Sequence, residues 1–449
     1  MAFRFAAGPA LGAVCSICAL ASAGGLNAAA QEVDTSKAAK PASTQPQPPP
    51  QDTLTGDWGG IRTNLRNMGI DITGGYKGEF LGNISGDMPR EEGQSGELDA
   101  AATIDAAKLW GLRGGVLQTT LTLREGEPPP GNLLQQSEEV YGRGNILRLT
   151  EFWWRQKLLD DKLTIKFGRL PQGDFNGFTC DFTNLTFCGA PAGNLVGSYW
   201  YNWPIAQWAA LARYDFGEYD VGAGVYEVNP QDLNLQFSPG WFNGATGAMG
   251  HFELGWTPKF GPQGLVGHYQ VGVWDDTAGN PDVLIGANGR PFALTNLPPL
   301  HRADSYGVYV QGFQQITGVG AYDGDSGWKD KQGLSLFFNF TQADRETSTL
   351  DNQFTVGATY VGLSAQRPDD AVGLAAGRTD YNSRAAEAML LATPGIQVPT
   401  AEYPIELFYS AQLTPWWDLR PDLQYVIHPG GFAKAPDEAL IGFRTDVKF

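Results

Sequence analysis

Long apolar runs are missing from this sequence. Beyond residue 30 there is no stretch of about 18 apolar residues, which excludes a bundle of membrane-spanning helices. Charge is also scarce. Charged residues make up 18% of the chain, against roughly 25% in soluble proteins. The balance is acidic, 31 basic against 48 acidic residues for a net charge of −17, which excludes nucleic acid as a partner. Histidine occurs four times. No H-E-x-x-H, no G-x-S-x-G and no phosphate-binding glycine loop is present. His251 and His268 fall on neighbouring candidate strands, but no serine in a nucleophile context accompanies them, so no enzyme is expected. The stretch "DGDSG" (Asp323, Asp325, Gly327) opens like a calcium loop, yet Leu334 stands where its closing glutamate belongs. Neither a metal nor a cofactor is expected.

Cysteine is rare too, with four in the chain. Cys15 and Cys18 lie in a stretch of small and apolar residues that follows Arg4 and ends at "NAAAQ". Residues 1–30 therefore read as a secretory signal, removed near Gln31. Residues 31–53 are rich in proline, glutamine and alanine, which bury no core, and read as a periplasmic linker. Cys180 and Cys188 remain. An even pair in an exported chain points to a disulfide, which would contribute roughly 2–3 kcal/mol in so short a loop. Two free thiols are the alternative.

Glycine (58) and tryptophan (13) are plentiful. Residues 54–69, "LTGDWGGIRTNLRNMG", predict a short helix, with Asp57 as cap, Ile61, Leu65 and Met68 on one face, and Gly69 as terminator. After it the period becomes two. In "GGVLQTTLTLRE", Leu117, Leu121 and Leu123 oppose Gln118, Thr120, Thr122 and Arg124. In "PIELFYSAQL", Ile405, Leu407 and Tyr409 oppose Glu406, Ser410 and Gln412. About sixteen such segments begin near residues 69, 98, 114, 145, 161, 200, 219, 248, 264, 303, 331, 353, 369, 401, 416 and 437. Most run about nine to thirteen residues, longer than globular strands and matched to tilted membrane strands. Short connections, such as 111–113, 159–160 and 216–218, alternate with long ones at 82–97, 126–144, 171–199, 229–247, 276–302 and 379–400. Two connections break the rule, 317–330 by its length and 343–352 by its brevity.

This pattern predicts an all-β fold, a transmembrane antiparallel β-barrel of about 16 strands in the outer membrane of a Gram-negative bacterium. In hydrocarbon an open sheet edge costs several kcal/mol per unpaired group, so the ring must close. "ALIGFRTDVKF" then becomes the last strand, paired with the first. Its terminal Phe449 suits the interfacial girdle and resembles the signature read by the outer-membrane insertion machinery.

Strand parity turns Lys77, Glu79, Arg124, Lys166, Glu406, Asp418, Arg420, Asp422, Arg444 and Lys448 toward the interior. Carboxylates and guanidiniums side by side can hold sugar hydroxyls, and aromatic rings can cover the apolar faces of a pyranose. The alternative is that these charges only keep the lumen wet. Residues 171–199 form the third long loop and carry Asp174, Phe175, Phe178, Phe182 and Phe187 beside the cysteine pair. Folded inward, they would narrow the channel. "EFWWRQKL" is ambiguous in phase. Glu151, Trp153 and Arg155 either face inward near that constriction or point to lipid.

Several stretches together resemble the carbohydrate-selective porins of the OprB type. They are "LTGDWGGIRTNLRNMGI", "EFWWRQKLLDDKLTIKFGRLPQGDF", "FELGWTP", "PIELFYSAQLTPWWDLRPDLQYVIHPGG" and "GFRTDVKF". The resemblance implies a sixteen-stranded channel for passive uptake of monosaccharides such as glucose. Two other readings are a general diffusion pore with weak cation preference and a secreted soluble β-protein that binds polysaccharide.

Overall fold

The computed structural model describes residues 52–86, 92–127, 133–141, 144–177, 181–234, 237, 240–318 and 332–449. The expected signal, nearly all of the linker and the "DGDSG" turn lie outside them. The fold consists of sixteen long strands. They are β1 (Ile70–Ser85), β2 (Glu92–Asp105), β3 (Gly115–Glu127), β4 (Ile146–Leu158), β5 (Leu163–Leu170), β6 (Gln207–Asp215), β7 (Tyr219–Val228) and β8 (Gly247–Trp256), followed by β9 (Leu265–Asp276), β10 (Ser305–Gln315), β11 (Gly333–Ala343), β12 (Leu350–Val361), β13 (Ala371–Tyr381), β14 (Ala401–Thr414), β15 (Trp417–Ile427) and β16 (Glu438–Lys448).

Each strand pairs antiparallel with its sequence neighbours. The ring closes where β16 meets β1, with Gly75 opposite Lys448 and Asn83 opposite Leu440. Backbone groups of every spanning strand thus find partners without an edge. Across the seam Phe80 and Phe443 stack at 5.7 Å on the outer face. Outward positions stay exposed, Phe167 at 50%, Leu374 at 53% and Ile441 at 51%. Two packed sheets would bury such residues, so the soluble reading is excluded. Aromatics gather at the short-turn end, where Phe216, Tyr219, Trp256 and Tyr269 stack in succession.

Helix α1 (Ile61–Met68) precedes β1, about two turns shorter than the expected 54–69, because the glycine pair at 59–60 adopts left-handed backbone and delays the helix. Asp57 still reaches it, accepting from the Thr63 N–H at 2.8 Å. The Arg62 guanidinium is buried and donates to the backbone oxygens of Ile72 (2.9 Å) and Phe449 (2.6 Å).

Two expectations need correction. The first connection is not long, because β1 and β2 extend to Ser85 and from Glu92. The sixth strand begins at Gln207 rather than near 200, since "YWYNWPIA" belongs to the inward loop. The short connection 344–349 is covered by its neighbours. A hairpin in 277–304 leans over it, and the Val283 N–H donates to Glu346 O at 2.8 Å. Asp282 there binds both Arg302 and Arg384, and Arg302 also pairs with Glu346 at 3.0 Å, joining three connections into one clasp.

Candidate functional site

The phase of "EFWWRQKL" is decided by a β-bulge. Thr120 faces Glu151 while Leu121 faces Leu149, so Thr150 is an extra residue. Arg148 and Thr150 point inward before the bulge, and Glu151, Trp153 and Arg155 point inward after it. Phe152 is exposed on the lipid side. A bulge flips the two-residue parity, which is why the alternation there could not be read in one phase. Glu151 accepts from the Thr120 hydroxyl (2.6 Å) and from the Trp153 indole N–H (3.0 Å). Lys166 sits over the Trp153 ring at 4.2 Å and pairs with Asp174 at 2.9 Å.

Among the described residues, two connections fold into the lumen. The third, 171–206, leaves the wall after Leu170 and crosses to the opposite side. Its first contact is an aromatic seat. Phe175 stacks on His251 at 5.0 Å, with Arg213 above it at 5.7 Å. A Cβ on Gly224 would lie 2.7 Å from that ring, so β7 carries glycine there. Asn176 follows in left-handed backbone, which asparagine tolerates. It is fully buried, and its side chain bonds Gln311 (2.8 Å) and the Ala192 N–H (2.7 Å).

The far leg is held by the charges that parity placed inside. Glu406 accepts from the backbone N–H groups of Thr183 (2.7 Å) and Asn184 (2.9 Å). Asn184 also bonds Gln424 at 2.9 Å. Arg420 donates to Asp181 O, and Arg444 to Phe182 O at 3.4 Å. Phe182 is enclosed by Phe187, Phe337 and Phe408. Asp422 lies beside Glu406 and bonds Gln424 at 3.0 Å. Cys188 is buried in this leg. Phe178 and Cys180 lie outside the described residues.

The second connection lies along the wall from β14 to β2. Glu402 accepts from Leu134 N at 2.8 Å, and Glu79 accepts from Val140 N at 2.9 Å. Leu185 N donates to Gln136 O at 2.9 Å, joining the two inward connections. Glu139 meets Lys77 and lies 3.4 Å from Arg444. Burial pushes the Glu139 carboxyl up, but Lys77, Arg444 and Arg124 outweigh it and hold the group down at about 2. Its neighbour Glu138 has only a Ser95 hydroxyl (2.8 Å) and backbone near it, so burial pushes it up to about 8. No pattern in the sequence marks this pair.

Most of the predicted interior residues therefore divide into two sets. Glu79, Arg124, Glu406, Arg420, Asp422 and Arg444 face inward but are buried. All are covered by the inward connections or engaged with them, Arg124 through Glu97, which also accepts from the Trp203 indole of the third connection. Trp153, Arg155, Lys166 and Asp174 instead line an open space of about 920 Å³ in the short-turn half of the barrel. Asn202, Trp203 and Arg213 share its wall. Sequence reading missed all three, since the first two sit in the loop that resembled a strand start. The Trp203 indole donates to Glu97 at 2.9 Å, and Glu97 pairs with Arg124, so the ring is held at the boundary of this space. His268 also borders it, bonded to the Thr257 hydroxyl at 2.8 Å.

Comparison with known proteins places the chain. The family model "Carbohydrate-selective porin, OprB family" matches residues 91–449. The chain belongs to this family. It is 35% identical to Porin B of Pseudomonas aeruginosa over 422 residues, covering 88% of this chain and 91% of the relative. It is 30% identical to the Putative porin QuiX of Acinetobacter baylyi, covering 88% and 93%. Among solved structures, the high-pH structure of Pseudomonas putida OprB superposes with a TM-score of 0.83 at 35% identity, covering 89% of this chain and 99% of that one. This OprB-family chain is a channel of the Gram-negative outer membrane, not an enzyme.

Proposed function

We propose that the chain passes small carbohydrates passively, and that selection occurs where the inward connections leave a lateral gap beside β4–β7. The family carries the sugar-channel reading. The placement of Trp153, Arg155, Lys166 and Asp174 around one open space supports this location of the constriction. Trp153 offers a ring to the apolar face of a pyranose. Arg155 and the Lys166–Asp174 pair offer acceptors and donors to its hydroxyls, and Glu151 orients the Trp153 ring. Trp203 faces the same space from the loop. The buried set acts one step removed. It pins the connections so that the gap keeps its width. Monosaccharides such as glucose are the expected size class. Weak binding suits diffusion, because tight binding blocks release.

The same proposal includes a Cys180–Cys188 disulfide that stiffens the far leg. It also gives Phe449 the role of the insertion signal, and residues 1–30 that of a leader. Liposome swelling with a panel of sugars and amino acids tests the function. Monosaccharides should enter several-fold faster than amino acids of equal size. Equal rates would leave a general diffusion pore. Arg155→Ala and Trp153→Ala should each weaken glucose block of single-channel current, whereas Lys448→Ala, at the exposed rim, should not.

A further inference from the structure

The short-turn rim beneath β1–β5 is apolar where it should be wet. Helix α1 leaves Ile61 58% and Met68 52% exposed, on the face that Leu65 also shares. The β2–β3 connection exposes Leu109, Trp110 and Leu112, and the β4–β5 turn exposes Leu158 and Leu159. These three pieces are tied together. Asp105 N donates to Gly69 O at 2.8 Å, and Lys108 Nζ donates to Arg66 O at 3.1 Å. Lys157 N donates to Gly114 O at 2.9 Å, and Gln156 Nε2 to Arg113 O at 2.8 Å. They form one apron.

What covers the apron is indicated by continuity. The Trp110 ring stacks on Trp154 at 6.4 Å and 20°, and Trp154 stands on the outer side of β4, in phase with exposed Phe152. The apron thus extends the lipid-facing wall below its aromatic belt. Charge narrows the partner further. In a chain of net charge −17, residues 106–113 carry Lys108 and Arg113 and no acidic residue, while in the β4–β5 turn Lys157 and Lys162 flank Asp160 and Asp161. Aliphatic and indole groups flanked by cations on flexible stems match an interface of acyl chains and phosphate groups. A second copy is less suited. The exposed groups sit on three small projections, whereas a stable protein interface needs about 800 Å² per side.

We infer that this apron docks on anionic phospholipid of the periplasmic leaflet. The contact is independent of sugar transport and rests only on the outer-membrane location. The full-length protein is reconstituted into nanodiscs of phosphatidylcholine with a minor share of phosphatidylglycerol. Met68 and Leu112 are each replaced by p-benzoylphenylalanine, with Asn64 on the polar face of α1 as control. Ultraviolet irradiation should give a mass increase of one phospholipid at positions 68 and 112 and none at 64. Cross-linked chain dimers, or no adduct at either apolar position, would overturn the inference. Native mass spectrometry gives the charge arm. Lys108→Glu and Arg113→Glu should each lower phosphatidylglycerol retention about five-fold, with swelling rates unchanged. Unchanged retention in both would remove the anionic specificity and overturn the proposal as stated.

Discussion

Removing the Glu406 carboxylate should loosen the constriction without opening the barrel. In the native chain this group accepts two backbone N–H bonds from the far leg, at 2.7 and 2.9 Å. A buried donor left without its acceptor costs about 1–3 kcal/mol, so Glu406→Ala, which strips two backbone N–H groups of their partner, costs about 2–6 kcal/mol. Part of this is offset, because the neighbouring Asp422 carboxyl is relieved of a second buried acidic group beside it. The leg keeps other tethers. Three aromatic contacts around Phe182 contribute about 0.5–1.5 kcal/mol each, and Arg420, Arg444 and Gln424 still bind it. A net loss of about 3 kcal/mol lowers the ratio of docked to undocked leg about a hundred-fold. Planar-bilayer recording reads this directly. Glu406→Ala should show larger, flickering conductance and weaker glucose block, and Glu406→Gln, which keeps one acceptor oxygen, should fall between. Resistance of the folded barrel to detergent at room temperature should persist, because the β14 ladder is untouched. Wild-type conductance, noise and glucose block in Glu406→Ala would refute the claim that buried wall charges set the gap.

Further outcomes follow from the same geometry. Glu138, raised to about 8, favours the docked second connection while protonated, and that advantage is lost as pH rises from the unfolded carboxyl range through about 8. Conductance should therefore rise on the alkaline side, and Glu138→Gln should abolish the rise. Glu139, lowered to about 2, acts with the opposite sign. Its ion pairs with Lys77 and Arg444 are lost only as pH falls toward that value, so Glu139→Gln should raise conductance at neutral pH. Gly224→Ala puts a Cβ 2.7 Å from the Phe175 ring and should cost about 1–3 kcal/mol, seen as earlier thermal unfolding and noisier current. Asp282→Asn weakens the clasp to Arg302 and Arg384 and should speed proteolysis of residues 277–304 while leaving glucose block unchanged.

Much of the wall was legible residue by residue. A spanning strand needs only its own alternation to turn Phe167 toward lipid and Lys166 toward the lumen, whichever strand becomes its neighbour. Strand number and ring closure followed, because an open edge in hydrocarbon is excluded whatever the side chains. The same local rule failed at Thr150, where one extra residue reversed the phase, and at "YWYNWPIA", where aromatic β-formers serve an inward loop. Local pattern carries no information about a bulge that depends on the partner strand.

Outside that bulge and that loop, the sequence by itself determined which residues form the ring and which side of it they face, because both depend on a period of two within single segments. Only the tertiary structure decided what the interior charges do. Glu406 meets Thr183 across 223 positions and Gln424 meets Asn184 across 240, and contacts at that separation leave no local trace. A charge facing inward can touch water or a folded loop, and the path of the loop through space makes the choice.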